Sequence, residues 1–264
     1  MKDLISVVIP CYNHERYVSK AIVSVLQQSY ENIELIVIDD GSKDSSPSII
    51  SELDQDNKFL FIQQSNSGIC KTLNNGIRNH ANGQWIAILA SDDYWHLDKL
   101  SLQMERLKDS NSEFCYSKAL EFSEEKDFKE IRIFPNKIIE GNMLNKVFIS
   151  QHIPAGSILF SRKLYDRIGG FDEGLREEDW DFVIRSAANT SICGVDQPLL
   201  YYRSHETNFM KVVNRKIIFQ QKAKILAKNM HLISSFLFIF ALLLHFCYDI
   251  IYCSYIRKWL KIDR

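Results

Sequence analysis

Apolar residues in this chain fall into short unbroken runs alternating with stretches in which they recur every three or four positions. Ile5-Ser6-Val7-Val8-Ile9 is a largely β-branched run ending at Pro10, and it predicts a buried strand. Behind it, Val18, Ile22, Val25 and Leu26 recur at helical spacing and predict a helix over residues 16–28. The alternation then repeats. A strand over 33–38 runs into Asp39-Asp40-Gly41-Ser42, and a helix over 47–53 carries Pro47 in its first turn, where its missing N–H costs nothing. A strand over 59–62, a helix over 69–78 and a strand over 85–89 complete the series. Strands and helices alternating through short connections predict a Rossmann-like, mostly parallel sheet flanked by helices, with right-handed crossovers. Such sheets bind ligands beyond the carboxyl ends of their strands. Residues 10–13, 39–42, 64–68 and 91–93 all follow strands, so they should share one rim.

Beyond residue 100 the pattern loosens. It predicts a helix over 97–107, a strand over 114–116, a charged loop over 122–129, a strand over 156–160, a helix over 179–185 and a strand over 199–202. Residues 232–256 form a dense apolar stretch in which His245 and Asp249 are the basic and acidic exceptions.

Composition adds little until it is divided. The 264 residues are 46% hydrophobic and 25% charged, which is globular and not disordered. The net charge of −1 conceals +8 in residues 211–264 and −9 in residues 1–210. The chain therefore divides into a domain over 1–210 and a basic, apolar helical tail over 211–264. Six cysteines without a CxxC spacing fit free thiols in a reducing compartment. The first five residues lead directly into a strand, so no signal peptide is expected.

The chemistry concentrates in Leu89-Ala90-Ser91-Asp92-Asp93-Tyr94-Trp95. Adjacent carboxylates closing a buried strand repel each other and lose hydration, so they call for a positive partner. An acidic rim with no basic cluster suits neither nucleic acid nor a bare phosphate. It suits Mg²⁺ or Mn²⁺ holding a nucleoside diphosphate, because these cations take one or two carboxylates and complete their shell with phosphate oxygens and water. The dinucleotide fingerprint GxGxxG and the phosphate loop GxxxxGK[ST] are both absent, which argues against dehydrogenases and ordinary ATPases. A metal-dependent nucleotidyltransferase or a catalytically inactive sugar-nucleotide-binding protein remains an alternative.

Taken in order, "SVVIPCYNHERYVSKAIVSVLQQSYENIELIVIDDGSKDSS", "NSGICKTLNNGI", "LASDDYW", "IGGFDEGLREEDWDF" and "YYRSH" closely resemble family 2 glycosyltransferases of the GT-A fold. The resemblance covers residues 6–205 and implies inverting transfer of a sugar from a nucleotide-activated donor, usually a UDP-sugar, to an acceptor hydroxyl with Mn²⁺ or Mg²⁺ as cofactor. By position, Pro10, Tyr12 and Glu15 resemble the first nucleotide-binding loop. Asp40 resembles the carboxylate that holds the base, with Asp39 supporting it. Asn66, Gly68 and Lys71 resemble the segment along the nucleotide and its phosphates. Asp92 resembles the ribose or sugar contact, Asp93 the metal ligand, and His205 a histidine that completes the metal shell. The family often has another Asp where Ala90 stands, which shifts metal-binding weight to Asp93. Asp179 resembles the catalytic base, with Glu178 beside it. The chemistry asks for such a base on its own terms, since the acceptor hydroxyl must lose a proton to some carboxylate. Asp181 reads as an ordinary exposed position, and Asn74 and Asn75 as residues that cap or pack and do not bind.

The tail is long enough to span a bilayer. Its flanks are basic on both sides, however, with Lys211, Arg215, Lys216, Lys222, Lys224 and Lys228 before and Arg257, Lys258, Lys261 and Arg264 after. Basic flanks favour the cytoplasmic side. The expectation is an amphipathic or re-entrant hairpin in the inner leaflet, peripheral or monotopic, bound to anionic lipid. That location suggests a glycan acceptor carried on a polyprenyl lipid, in polysaccharide, O-antigen or capsule assembly.

Overall fold

The computed structural model describes residues 2–124, 128–175, 179–206, 208 and 212–256. The first half follows the predicted alternation: β1 (Ile5–Cys11), α1 (Val18–Leu26), β2 (Ile33–Asp39), α2 (Ser46–Leu53), β3 (Leu60–Gln63), α3 (Ile69–Asn75) and β4 (Trp85–Ile88). These four strands are parallel in the order β3-β2-β1-β4, so β1 is central. The period-two rule separates its side chains. Ile5, Val7 and Ile9 face a core shared with α1, α2 and α4 (Lys99–Lys108), while Val8 joins the core on the opposite face. β1 runs two residues beyond its predicted stop and takes in Pro10. The register explains why that is tolerated. β4 pairs only as far as Val8, so at Pro10 the strand has one neighbour and a missing N–H breaks no ladder on the other side.

The second half is more irregular than the sequence suggests. β5 (Tyr94–Trp95), β6 (Phe114–Ser123), β7 (Lys129–Phe134), β8 (Leu159–Ser161) and β9 (Ile192–Arg203) extend the sheet in the order β4-β8-β6-β9-β5, with β7 on β6. β8 runs antiparallel to both β4 and β6, whereas β6 and β9 are parallel. Of the expected charged loop, Phe122 and Ser123 belong to β6 and Lys129 to β7, while residues 125–127 lie outside the described residues. α5 (Leu144–Ile149), α6 (Arg162–Ile168) and α7 (Asp179–Ala187) cover this part.

The tail forms two helices, α8 (Arg215–Lys228) and a longer one that begins as α9 (Ser235–His245) and continues with π-helical winding over Phe246–Ile256. The hairpin therefore lies between α8 and this long helix, with Met230–Leu232 at its turn, and not within the apolar stretch itself. Ile225, Leu226 and Ala241 are buried in the same core as Val8, Phe114 and Phe182. Asp181, expected on the surface, is fully buried. Its charge is met by Arg185 Nε at 2.8 Å, Lys228 Nζ at 3.0 Å and Asn229 Nδ2 at 2.8 Å. Two of these partners come from the end of α8, a sequence separation that no local pattern reveals.

Candidate active site

The carboxyl ends of the parallel strands do form one rim, tied together by side chain to backbone hydrogen bonds. At the end of β2, the Asp40 carboxylate accepts the N–H groups of Ser67 and Gly68 at 2.8 and 3.0 Å, and Gln64 Nε2 at 2.8 Å. It fastens the loop after β3 to the loop after β2. Gly41, at φ +78°, permits the close approach: a Cβ there would stand 2.8 Å from the Asn66 backbone nitrogen. Asp39 accepts the Ser42 N–H at 3.1 Å through Oδ2, while its buried Oδ1 has no hydrogen-bond partner among the described residues. Asn13 binds both Ser42 and Lys43, and Glu15 accepts the Ser45 N–H at 2.8 Å, so the first loop is braced against the second. Pro10 is buried, whereas Tyr12, Asn66, Gly68 and Lys71 are exposed on these loops. Asn74 is a buried packing residue, as the sequence suggests, holding Tyr165 and the Phe171 backbone.

The two adjacent carboxylates have distinct surroundings. Asp93 is buried and accepts the Arg203 N–H at 2.8 Å; burial, and then the charge of Asp92, push its carboxyl well above the usual range. Asp92 Oδ2 lies 3.1 Å from His205 Nε2. Burial alone would raise Asp92, but the His205 hydrogen bond and the His14 and His205 imidazoles hold it below the usual range. Part of the positive partner demanded by the sequence is thus supplied by the protein. Arg203 donates from Nε to the Asp92 carbonyl at 2.8 Å, pairs with Glu124, and lies 4.8 Å from the ring centroids of both Tyr17 and Phe122. Tyr17 also stacks on His205 at 5.1 Å, and His14 Nδ1 meets Ser91 Oγ at 2.7 Å. Arg203 was visible in "YYRSH" beside His205, but only the fold reveals that it ties both aspartates in place.

Asp179 opens α7, where Gln151 Nε2 donates to its Oδ2 at 3.0 Å. Burial pushes its carboxyl above the ordinary aspartate range. Glu178 lies outside the described residues. Gln151 and Gly156 belong to one segment, and a Cβ built on Gly156 would lie 3.8 Å from Asp93 Oδ2. Five residue steps span at most about 18 Å, so the contacts to Asp179 and to Asp93 lie at the two ends of one short segment. Gln151 had no signal in the sequence.

The donor set can be tested for a divalent cation. A carboxylate suits either Mn²⁺ or Mg²⁺, and the imidazole nitrogen 3.1 Å from it is a ligand better suited to Mn²⁺ than to Mg²⁺. Among the described residues no group of three or more His, Cys, Asp or Glu could hold a metal ion. The pair fits a cation whose remaining ligands are diphosphate oxygens and water, the arrangement typical of nucleotide-bound Mg²⁺.

Known proteins share both the sequence and the fold. The family model "Glycosyl transferase family 2" matches residues 6–169. An uncharacterized glycosyltransferase of Rickettsia felis is 31% identical over 196 residues, 74% of this chain and 32% of the relative. The Escherichia coli protein named UDP-Glc:alpha-D-GlcNAc-diphosphoundecaprenol beta-1,3-glucosyltransferase WfgD is 35% identical over 113 residues, 43% of this chain and 44% of its own. The chain spans about a third of the length of the first of these curated relatives. Among solved structures, S. aureus TarS 1-349 in complex with UDP-GlcNAc superposes with a TM-score of 0.75 at 18% identity, covering 98% of this chain and 76% of that one. The mannosyltransferase PcManGT from Pyrobaculum calidifontis, solved with GDP-Man and Mn²⁺, gives 0.66 at 17% identity, covering 88% and 65%. The structures establish the α/β glycosyltransferase fold, and the family model covers more than half of the sequence. The chain belongs to glycosyl transferase family 2.

Proposed function

We propose that this chain transfers a sugar, with inversion, from a UDP-sugar to a hydroxyl of a glycan acceptor carried on a polyprenyl lipid at the cytoplasmic face of the membrane, in polysaccharide, O-antigen or capsule assembly. The observation that carries the reading is the arrangement of one desolvated carboxylate, Asp179, across a short segment from the Asp92/Asp93 pair. In the reaction the acceptor oxygen bonds to the anomeric carbon as the bond from that carbon to the diphosphate breaks, and the hydroxyl proton passes to Asp179. Glu178, its sequence neighbour, is assigned a supporting role. Asp39 Oδ1, buried and without a hydrogen-bond partner among the described residues, is the acceptor left for a base N–H, while Asp40 is occupied in fastening the loops. The loops bearing Pro10, Tyr12, Glu15, Asn66, Gly68 and Lys71 frame the nucleotide.

The geometry favours exchanging the roles of the two adjacent aspartates. Asp92 with His205 would hold Mn²⁺ or Mg²⁺, and Asp93 would set the turn, because its Oδ1 is already engaged by the Arg203 N–H. A bound cation would offset the charge developing on the departing diphosphate.

The tail supports attachment to the membrane. The stretch Ser235–Cys253 has 19 residues and a mean hydropathy of 2.1. Phe236, Ile239, Phe240, Leu243, Leu244, Tyr248, Ile251 and Tyr252 form an exposed apolar stripe along it, while Ala241, His245 and Asp249 face inward. Asp249 is fully buried and held by Lys222 at 2.8 Å. Crossing a bilayer would put that ion pair in hydrocarbon, whereas lying flat leaves it against α8 and the stripe against lipid. The basic residues of 211–264 would add attraction to anionic inner-leaflet lipid.

A panel of nucleotide sugars incubated with Mn²⁺ or Mg²⁺ tests the reading. Release of nucleoside diphosphate from a UDP-sugar is expected. Release of pyrophosphate would identify a nucleotidyltransferase, and tight UDP binding without turnover of any donor would identify a binding protein.

A further inference from the structure

The first turn of α7 carries Asp179, Trp180 and Asp181, and each is held from outside the helix. An isolated helix of this length is marginal, and its first turn has backbone N–H groups without intrahelical partners, so the direction of Asp179 depends on tertiary contacts. The tail supplies them. Asp181 is gripped by Lys228 and Asn229 at the end of α8. Lys228 also reaches Asp172 at 2.6 Å, and Lys224 binds the Gly174 carbonyl at 2.7 Å, so α8 holds the loop leading towards α7 as well. Trp180 lies edge-on to His245 of the long tail helix at 5.1 Å and donates to the Val147 carbonyl at 2.6 Å. His245 Nε2 is 2.9 Å from the Ile149 carbonyl, two residues before Gln151, which binds Asp179 directly. The tail thus touches both residues that follow Asp179 and the segment that leads to its hydrogen-bond partner.

We propose that α8 and the long tail helix position the catalytic base, with Lys228 as the principal positioning residue. Proton transfer to Asp179 then depends on the tail, while nucleotide binding at the loops after β1, β2 and β3 does not. The proposal rests on Asp179 being the base. It adds that the element bearing the apolar stripe is also part of the acceptor side of the active site, so that removing the tail would impair catalysis as well as membrane attachment.

The test uses the full-length chain with Lys228→Met, Lys228→Arg and Asp179→Asn. UDP affinity is measured with Mn²⁺, and kcat and donor KM are measured by UDP release from the donor that the panel above selects. For a cooperatively melting Lys228→Met, kcat should fall at least about tenfold, since small misplacements of a reacting group are costly. UDP affinity and donor KM should stay within about twofold, the split expected when only transition-state interactions are lost. Lys228→Arg, which keeps the charge, should recover most of the rate. Should Lys228→Met not melt cooperatively, Lys228→Gln, which keeps a hydrogen-bond donor, is read by the same criteria. An unchanged kcat, or UDP affinity lost in parallel with kcat, would overturn the positioning role. An inactive Asp179→Asn beside an unchanged Lys228→Met would leave the base standing and remove only the positioning. A fully active Asp179→Asn would remove the base assignment itself.

Discussion

Asp179 is a carboxylate whose burial favours its protonated form, and this has a kinetic consequence. As the proposed base, Asp179 would work only when deprotonated, so kcat/KM should fall as pH drops through a value above the ordinary aspartate pKa of about 3.9. A pH–rate profile checks this; activity that persists undiminished to the pH of a free carboxylate would contradict it. The Asp92/His205 pair makes a separate prediction. Asp92→Asn or His205→Ala should abolish the gain in UDP affinity that Mn²⁺ confers, measurable by calorimetry with and without the ion, while Asp93→Asn should act mainly on stability through its bond to Arg203. A loss of the Mn²⁺ effect in Asp93→Asn alone would restore the original distribution of roles. The family resemblance assigns the two aspartates different roles, but the contacts that distinguish them here are made across more than 100 residues and leave no local signature.

Among the elements, those buried on both faces were the easiest to read. β1 and β2 are nearly continuous apolar runs, interrupted by Ser6 and Glu34, because helices cover both sides of the central sheet, and their polar ends mark the rim directly. The elements that were missed, or read only in part or without bounds, lack such a signature. β7 is exposed almost throughout, α8 is basic with few buried positions, and β9 carries Pro198 opposite Lys118, where the register shifts and a bulge admits it. The turn between β2 and α2 offers a sharp test at this scale. Gly41→Ala should destabilise the protein by about 1–3 kcal/mol, through the positive φ and the clash with the Asn66 backbone. Chemical denaturation would measure the loss, and UDP affinity should fall with it because the same turn fixes both loops. Wild-type stability in this variant would show that the two loops do not need to meet.

For the whole molecule, the tail presents opposite characters to the protein and to solvent. Its inward face, with Ala241, His245 and the Asp249–Lys222 pair, is specific to this fold, whereas its outward face is a plain apolar stripe. Charge arithmetic along the sequence located the tail, but only the packing separates these faces. Phe240→Glu together with Leu243→Glu should release the protein from vesicles containing phosphatidylglycerol in a flotation assay and leave UDP affinity intact, because both side chains are exposed. Wild-type protein that never floats would count against membrane attachment.

The central claim is that one reaction centre joins the nucleotide rim to Asp179. It is tested most directly by comparing UDP affinity and turnover in wild type and Asp179→Asn on the same donor. Turnover should fall by roughly 10²- to 10⁴-fold while UDP binds as before. Full turnover by Asp179→Asn would contradict the account.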